Sequence, residues 1–200
     1  MRASDVRPTP VGPGGRWGSG MRHSRMRLAA AVLAAFGIAG SFAPAVAPAT
    51  AAQLSPAMMW PTTGRITQPY GCTGFRYEPR RGNCKHFHLG VDIADARSTP
   101  VRAAAAGKVV HVGLDPWIRG KYRSWTVVIR HANGVRTFYA HLRKRVIAGA
   151  HEGDHVVKGQ KIGLMGNTGL STGVHLHFAV ILNHEWVNPG RFLTADAPRR

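Results

Sequence analysis

Acidic residues are scarce in this chain: nine Asp and Glu stand against 27 Lys and Arg, a formal net charge of +18 over 200 residues. No unbroken apolar run comes near the ~20 residues that a bilayer span requires, which argues against a transmembrane anchor. Cysteine is almost absent. The two present, Cys72 and Cys84, are too widely spaced for the Cys-x-x-Cys pattern of structural zinc sites. Past the first fifty residues no stretch keeps a helical period, which excludes a helical bundle, and no repeat or low-complexity array occurs there. Lys158 and Lys161 lack the local context of a modifiable lysine at a hairpin tip, so a biotinyl or lipoyl carrier is excluded as well.

What is present begins with a targeting signal. From Met21 the chain runs through Arg22, Arg25 and Arg27, then an apolar stretch over residues 28–38, then small residues and prolines ending Ala51-Ala52-Gln53. That order is a secretory signal peptide, with cleavage expected after Ala51 or Ala52. No Arg-Arg pair precedes the apolar stretch, which points to the general export route. Residues 1–20, rich in Pro, Gly and Arg, either extend the signal or follow an upstream start codon, Met21 being the alternative initiator. Residues 1–52 hold six Arg and one Asp, so the mature part keeps 21 basic against eight acidic residues, or +13. Nucleic acid is the first partner such a balance suggests, but an exported protein rarely meets it. An anionic cell envelope is the more economical partner, and a merely solvated basic surface is the bland alternative. In an exported chain Cys72 and Cys84 are expected to be oxidised to each other, a closure that contributes ~3 kcal/mol in the chain-entropy model.

Residues 53–59 read as a linker, 60–193 as one domain and 194–200 as a tail. Within the domain, β-favouring segments fall at 64–67, 90–93, 107–113, 125–131, 135–141, 161–165 and 175–182, separated by Gly, Pro, Asn and Asp. Ala132-Asn133-Gly134-Val135 carries the Asn-Gly signature of a tight hairpin. Residues 152–163, with a glycine at each turn, suggest a bent hairpin. The alanines of 101–106 favour helix by propensity, but Pro100 and Gly107 bracket them. The expectation is an all-β fold, a small antiparallel sandwich or barrel.

Two histidine clusters carry the chemistry. In Val174-His175-Leu176-His177, strand alternation turns both imidazoles to one face. In His86-Phe87-His88-Leu89-Gly90-Val91-Asp92, the four-residue spacing puts His88 and Asp92 on one face, and Gly90 suggests open space for an ion. Imidazole and carboxylate are the donors Zn²⁺ prefers, and three protein ligands with one open position define a catalytic site. Spacing alone leaves His175 and His177 both eligible as the third ligand, with His86 and His141 further possibilities.

The ordered motifs His88-Leu89-Gly90-Val91-Asp92, Tyr139-Ala140-His141-Leu142 and His175-Leu176-His177 resemble those of the lysostaphin/LytM-type zinc metallopeptidases, the M23 family of peptidoglycan endopeptidases. The resemblance also takes in Gly153-Asp154 to Gln160, Gly166-Asn167-Thr168-Gly169 and Val187-Asn188-Pro189, and spans residues 60–193. It implies a small antiparallel barrel-sandwich hybrid with zinc held by His88, Asp92 and His177. His141 and His175 are then the catalytic histidines that do not bind metal, His131 is structural, and His86 has no family counterpart. Tyr70 and Tyr77 precede the first motif, but neither aligns with the tyrosine that assists catalysis in some members. The implied function is a secreted, cell-wall-associated, monomeric endopeptidase acting on peptidoglycan. The alternative is a non-catalytic cell-wall-binding regulator of another wall hydrolase. Paired cysteines predict a two-hydrogen mass deficit in the unreduced protein by mass spectrometry; two free thiols would defeat the disulfide and revive a metal or redox role.

Overall fold

The computed structural model describes residues 57–118, 120–145, 147–195 and 198. The expected signal segment lies outside the described residues. In chain order the strands are β1 (Arg65–Gln68), β2 (Gly71–Cys72), β3 (Phe87–His88), β4 (Val91–Ala94), β5 (Pro100–Arg102) and β6 (Gly107–Leu114). They continue with β7 (Trp125–Arg130), β8 (Val135–Leu142), β9 (His155–Val156), β10 (Lys161–Leu164), β11 (Leu176–Leu182) and β12 (Glu185–Val187). One eight-stranded sheet runs β1-β4-β11-β8-β7-β6-β9, with β12 also paired to β11. Two small ladders, β10-β5 and β2-β3, lie beside it. Every strand pair is antiparallel.

Period-2 alternation explains the layers. Val127, Ile129, Val135, Tyr139, Phe178 and Val180 turn to one side of the sheet and join the main core. Val128, Phe138, Ala140 and Ala179 turn to the other side and pack with Trp186. A second layer closes the main core, formed by Val101 of β5, Ile162 of β10 and the buried run Ala103-Ala104-Ala105. The helix propensity of those alanines is overridden by packing. Their small side chains let the backbone pass close to Tyr139, whose hydroxyl accepts the Ala104 N–H at 2.9 Å.

That hydroxyl belongs to a buried polar chain inside the core. His131 Nδ1 is 2.8 Å from the Ala106 carbonyl and its Nε2 is 2.8 Å from Thr137 Oγ1. Thr137 and Tyr139 are joined hydroxyl to hydroxyl at 3.0 Å. Burial lowers the His131 pKa and pushes the Tyr139 phenol up to about 12, so both stay neutral. Each polar group in the chain is satisfied, which is what makes it tolerable in an apolar core.

The seven predicted strands correspond to β1, β4, β6, β7, β8, β10 and β11 within a residue or two at each end. The Asn-Gly hairpin joins β7 to β8, with φ of 56° at Asn133 and 73° at Gly134, the signs a type I′ turn requires. Two expectations are corrected. Residues 152–163 do not form a hairpin, because β9 pairs with β6 while β10 pairs with β5. The segment assigned to a linker reaches into the fold at its end: Met58 is fully buried, and its N–H donates to the Phe192 carbonyl at 2.9 Å. Cys72 and Cys84 are disulfide-bonded with Cα atoms 5.4 Å apart. The loop they close carries Phe75, Tyr77 and Glu78 to the rim of a cleft.

Tyr139→Phe removes the acceptor of a buried N–H and one link of the polar chain while keeping the ring. It is expected to cost about 1–3 kcal/mol, read as a lower denaturant midpoint at unchanged slope.

Candidate metal centre

Register brings the predicted residues together. His177 on β11 is directly opposite Asp92 on β4 and, on its other side, opposite Ala140 on β8. His88 arrives from a different direction. It ends β3 in the small β2-β3 ladder, and a bend at Leu89-Gly90 separates it from Asp92, so the two are not neighbours on one strand face as their spacing suggested. The side chains nevertheless converge: His88 Nε2 is 3.2 Å from Asp92 Oδ1, His177 Nδ1 is 3.0 Å from the same oxygen, and the two ring nitrogens are 2.9 Å apart.

Gly90 is needed for a reason other than the expected one. A Cβ there would stand 2.8 Å from the His177 ring and 2.5 Å from the Phe178 carbonyl oxygen. The space above Gly90 is filled by the His177 imidazole, not left for an ion. The glycine sets where that ring lies and hence where Nδ1 points.

The remaining nitrogen of His88 is fixed from behind. Its Nδ1 is 3.1 Å from the Pro69 carbonyl, which makes Nδ1 a donor there and turns Nε2 toward Asp92 and His177. Burial works to raise the Asp92 carboxyl, but hydrogen bonds and charge from His177 and His88 outweigh it and hold Asp92 well below the usual carboxylate range. Burial works against the charged form of His88, and the bond to Asp92 with its charge overcomes it, so that pKa is raised. These opposing pulls are those of a carboxylate shared by two imidazoles.

His141 and His175 stand beside this group. Their rings are 4.6 Å apart. His141 Nδ1 meets the Thr168 carbonyl at 2.7 Å and His175 Nδ1 the Gly173 carbonyl at 2.9 Å, so each ring presents Nε2 away from its backbone anchor. His175 Nε2 is 3.6 Å from Asp92 Oδ2. Burial, with the neighbouring His177 and His175, drives the His141 pKa down to about 3 and keeps that ring neutral. His141 has φ of 60°, a left-handed conformation that costs energy for a side chain of this size and is commonly kept at functional positions.

The donor set fits a zinc ion. His88 Nε2, Asp92 Oδ1 and His177 Nδ1 lie within 4.8 Å of one another. Their separations of 2.9–3.2 Å compare with ~3.3 Å between ligands on a tetrahedral ion with bonds of ~2.0–2.1 Å. His86 takes no part; its Nδ1 is bound to the Glu78 carbonyl at 3.1 Å. His131 belongs to the core chain. Tyr70 is tied to the Trp186 carbonyl at 3.2 Å and to Arg81 at 2.7 Å, whereas Tyr77 lines the cleft.

The cleft in front of these residues has a volume of about 390 Å³ and an apolar wall that includes Trp117, Phe138 and Trp186. The sequence reading missed that wall, together with Glu78 and Gln68. Burial raises the Glu78 carboxyl, partly offset by His88 and His177. Gln68 is opposite Asp92 in register, and its Nε2 is buried without a partner beside a small cavity that His141 and His175 also line. Gln68 falls one residue beyond the strand expected at 64–67, at the end of β1.

Residues 86–189, more than half of the chain, match the profile of Peptidase family M23, and the chain belongs to that family. It is 41% identical over 125 residues to the DD-carboxypeptidase/endopeptidase Mpg of Neisseria meningitidis, an alignment covering 62% of this chain and 26% of Mpg. It is 42% identical over 101 residues to the peptidoglycan DD-endopeptidase ShyA of Vibrio cholerae, covering 50% of this chain and 22% of ShyA. This chain thus spans about a quarter of the length of these curated relatives. Among solved structures, the catalytic domain of lysostaphin from Staphylococcus simulans superimposes with a TM-score of 0.52 at 31% identity, over 64% of this chain and 91% of that domain. A zinc-containing peptidase from Vibrio cholerae gives 0.54 at 32% identity, over 72% of this chain and 41% of its own. The antiparallel all-β fold is therefore of the lysostaphin type.

Gly90→Ala forces the His177 ring or the Phe178 carbonyl to move. It is expected to cost about 1–3 kcal/mol, measured by urea titration, and an unchanged midpoint would show that the ring has room to spare.

Proposed function

We propose that this chain is an exported zinc-dependent endopeptidase that hydrolyses peptide bonds in the stem peptides or cross-bridges of peptidoglycan. The observation that carries the reading is the triangle of two imidazole nitrogens and one carboxylate oxygen at the foot of a cleft, with two further imidazoles beside it. Peptidoglycan enters because ShyA is named a peptidoglycan DD-endopeptidase and because the expected mature charge suits an anionic wall.

His88, Asp92 and His177 would hold the ion, and one carboxylate against Zn²⁺ leaves the centre a net positive charge. Bound there, zinc supplies a Lewis acid for the scissile carbonyl and acidifies a water toward a pKa of ~7. The chain's own groups then manage protons and orientation. His141, held neutral by burial, offers the nitrogen its Thr168 anchor leaves free as a hydrogen-bond acceptor that can orient the attacking water. His175, anchored by Gly173, likewise offers Nε2 to accept a proton or, once protonated, to hydrogen-bond the oxygen of the tetrahedral adduct. The apolar wall of Trp117, Phe138 and Trp186 limits water around the reacting bond.

His177→Ala is expected to lose both bound zinc and wall hydrolysis. His175→Ala should keep most of its zinc, measured by elemental analysis, and lose about 10²–10⁴-fold in hydrolysis of purified sacculi. Undiminished lysis in either variant would sink the assignment. Defined muropeptides incubated with the wild type, with fragments identified by mass spectrometry, name the bond cut. A wall-binding regulator predicts no fragments at all.

A further inference from the structure

Arg130 and Arg136 face each other in register across β7 and β8. Alternation puts both on the outer face of the sheet, the face that carries Val128, Phe138 and Ala140. Arg130 is exposed and Arg136 half-buried. Among the described residues neither guanidinium has an ion pair or a side-chain hydrogen bond. Like charges directly opposite on adjacent strands are destabilising, and no contact in the fold calls for arginine at either position. Two hollows meet at the pair, one of about 330 Å³ that also touches Trp117 and one of about 120 Å³ that touches Asn183 and His184.

The pair shares its sheet face with the metal centre. Ala140 is opposite His177 in register, and Arg136 lies four residues back along β8, roughly 13 Å at strand rise. Between them stands Phe138, with Trp117 against it at 5.3 Å between ring centroids. Trp117 lines both the metal cleft and the larger hollow at the arginines, so the two spaces adjoin.

We propose that Arg130 and Arg136 form a subsite for a carboxylate carried by the peptide substrate, three to four residues from the bond that is cleaved. This rests on the peptidase reading. An extended peptide advances about 3.3–3.6 Å per residue, so roughly 13 Å is about four residues. A substrate lying along β8, over Phe138 and beside Trp117, reaches the arginines without leaving the sheet face. Two planar guanidiniums offer paired N–H forks that match a carboxylate's two oxygens, and the ligand's charge relieves the repulsion between them. A phosphodiester wall polymer would also be drawn to two arginines. The shared face and the adjoining hollows favour an anion that is part of the peptide already held at the metal.

The probe is a pair of non-cleavable stem-peptide analogues, one with free carboxylates and one with all of them as carboxamides. Equilibrium binding is measured on the zinc-loaded protein, on R130Q/R136Q, and on R136K, which keeps the charge but not the fork. Wild type is expected to bind the carboxylate form at least tenfold more tightly. The double variant should bind both forms at the wild-type carboxamide level, and R136K should fall between. On the corresponding cleavable peptide the double variant raises KM and leaves kcat unchanged. Equal affinity of wild type for the two analogues, or a preference that survives in R130Q/R136Q, overturns the proposal. So does a glycerol-phosphate oligomer that binds through the pair while the two peptides bind alike, which gives the site to a wall polymer. Because binding is read without turnover, failure to cleave any muropeptide defeats the peptidase reading and leaves this comparison intact.

Discussion

The pairing of β4 with β11 is the constraint on which the site depends. It sets Asp92 opposite His177, and every other group is arranged about that contact. A carboxylate with two imidazoles about 3 Å away is held in its charged form against burial. A slip of one residue in this register would turn His177 into the main core and Phe178 out to the cleft. The apolar positions forbid the slip, since Phe178 and Val180 are buried on one face and Ala179 on the other. Hydrophobic alternation thus fixes the chemistry indirectly.

The outer face of the sheet has an unusual composition for that reason. In a two-layer β fold the face turned away from the main core is ordinarily solvated and polar. Here its middle is apolar and aromatic, with Phe138, Ala140 and Ala179 under Trp186 and Trp117, and the imidazoles stand at one end of that strip. Phe138 lies 6.1 Å from the His177 ring, centroid to centroid. The aromatic floor therefore packs against the His177 ring and leaves an apolar surface along the cleft.

Much of this was legible in the sequence, and the remainder was not for identifiable physical reasons. Long strands with alternating burial, such as those around Val127 and Phe178, announce themselves through period-2 patterning. Two-residue strands do not, because β2, β3 and β9 are too short to show a period. β12 escaped because its turn, Asn183-His184, reaches φ of 48° and 71° without a glycine to mark it. The grouping of His88, Asp92 and His177 was suggested by motif order, whereas the geometry that brings them together was not. Spacing placed His88 and Asp92 on one strand, yet a bend at Gly90 separates them, and only the fold shows that Gly90 is there to admit the His177 ring. Glu78, Trp117 and Trp186 reach the cleft from three separate segments, a convergence no local pattern encodes.

The disulfide belongs to the same logic. Residues 73–83 contain no strand, and their hydrogen bonds are mostly local, Glu78 N–H to Phe75 O at 3.1 Å and Arg81 N–H to Cys84 O at 3.2 Å among them. Such a segment has little buried apolar surface to order it. Tying Cys72 to Cys84 limits its freedom in the unfolded chain and keeps its ends together in the folded one. Arg81 then adds a long-range tie, bonding Tyr70 and the Trp186 carbonyl at 2.7 and 3.0 Å. The covalent link and that one arginine together hold Glu78 and Tyr77 at the cleft, so the rim opposite the histidines is built by cross-linking where hydrophobic burial could not build it.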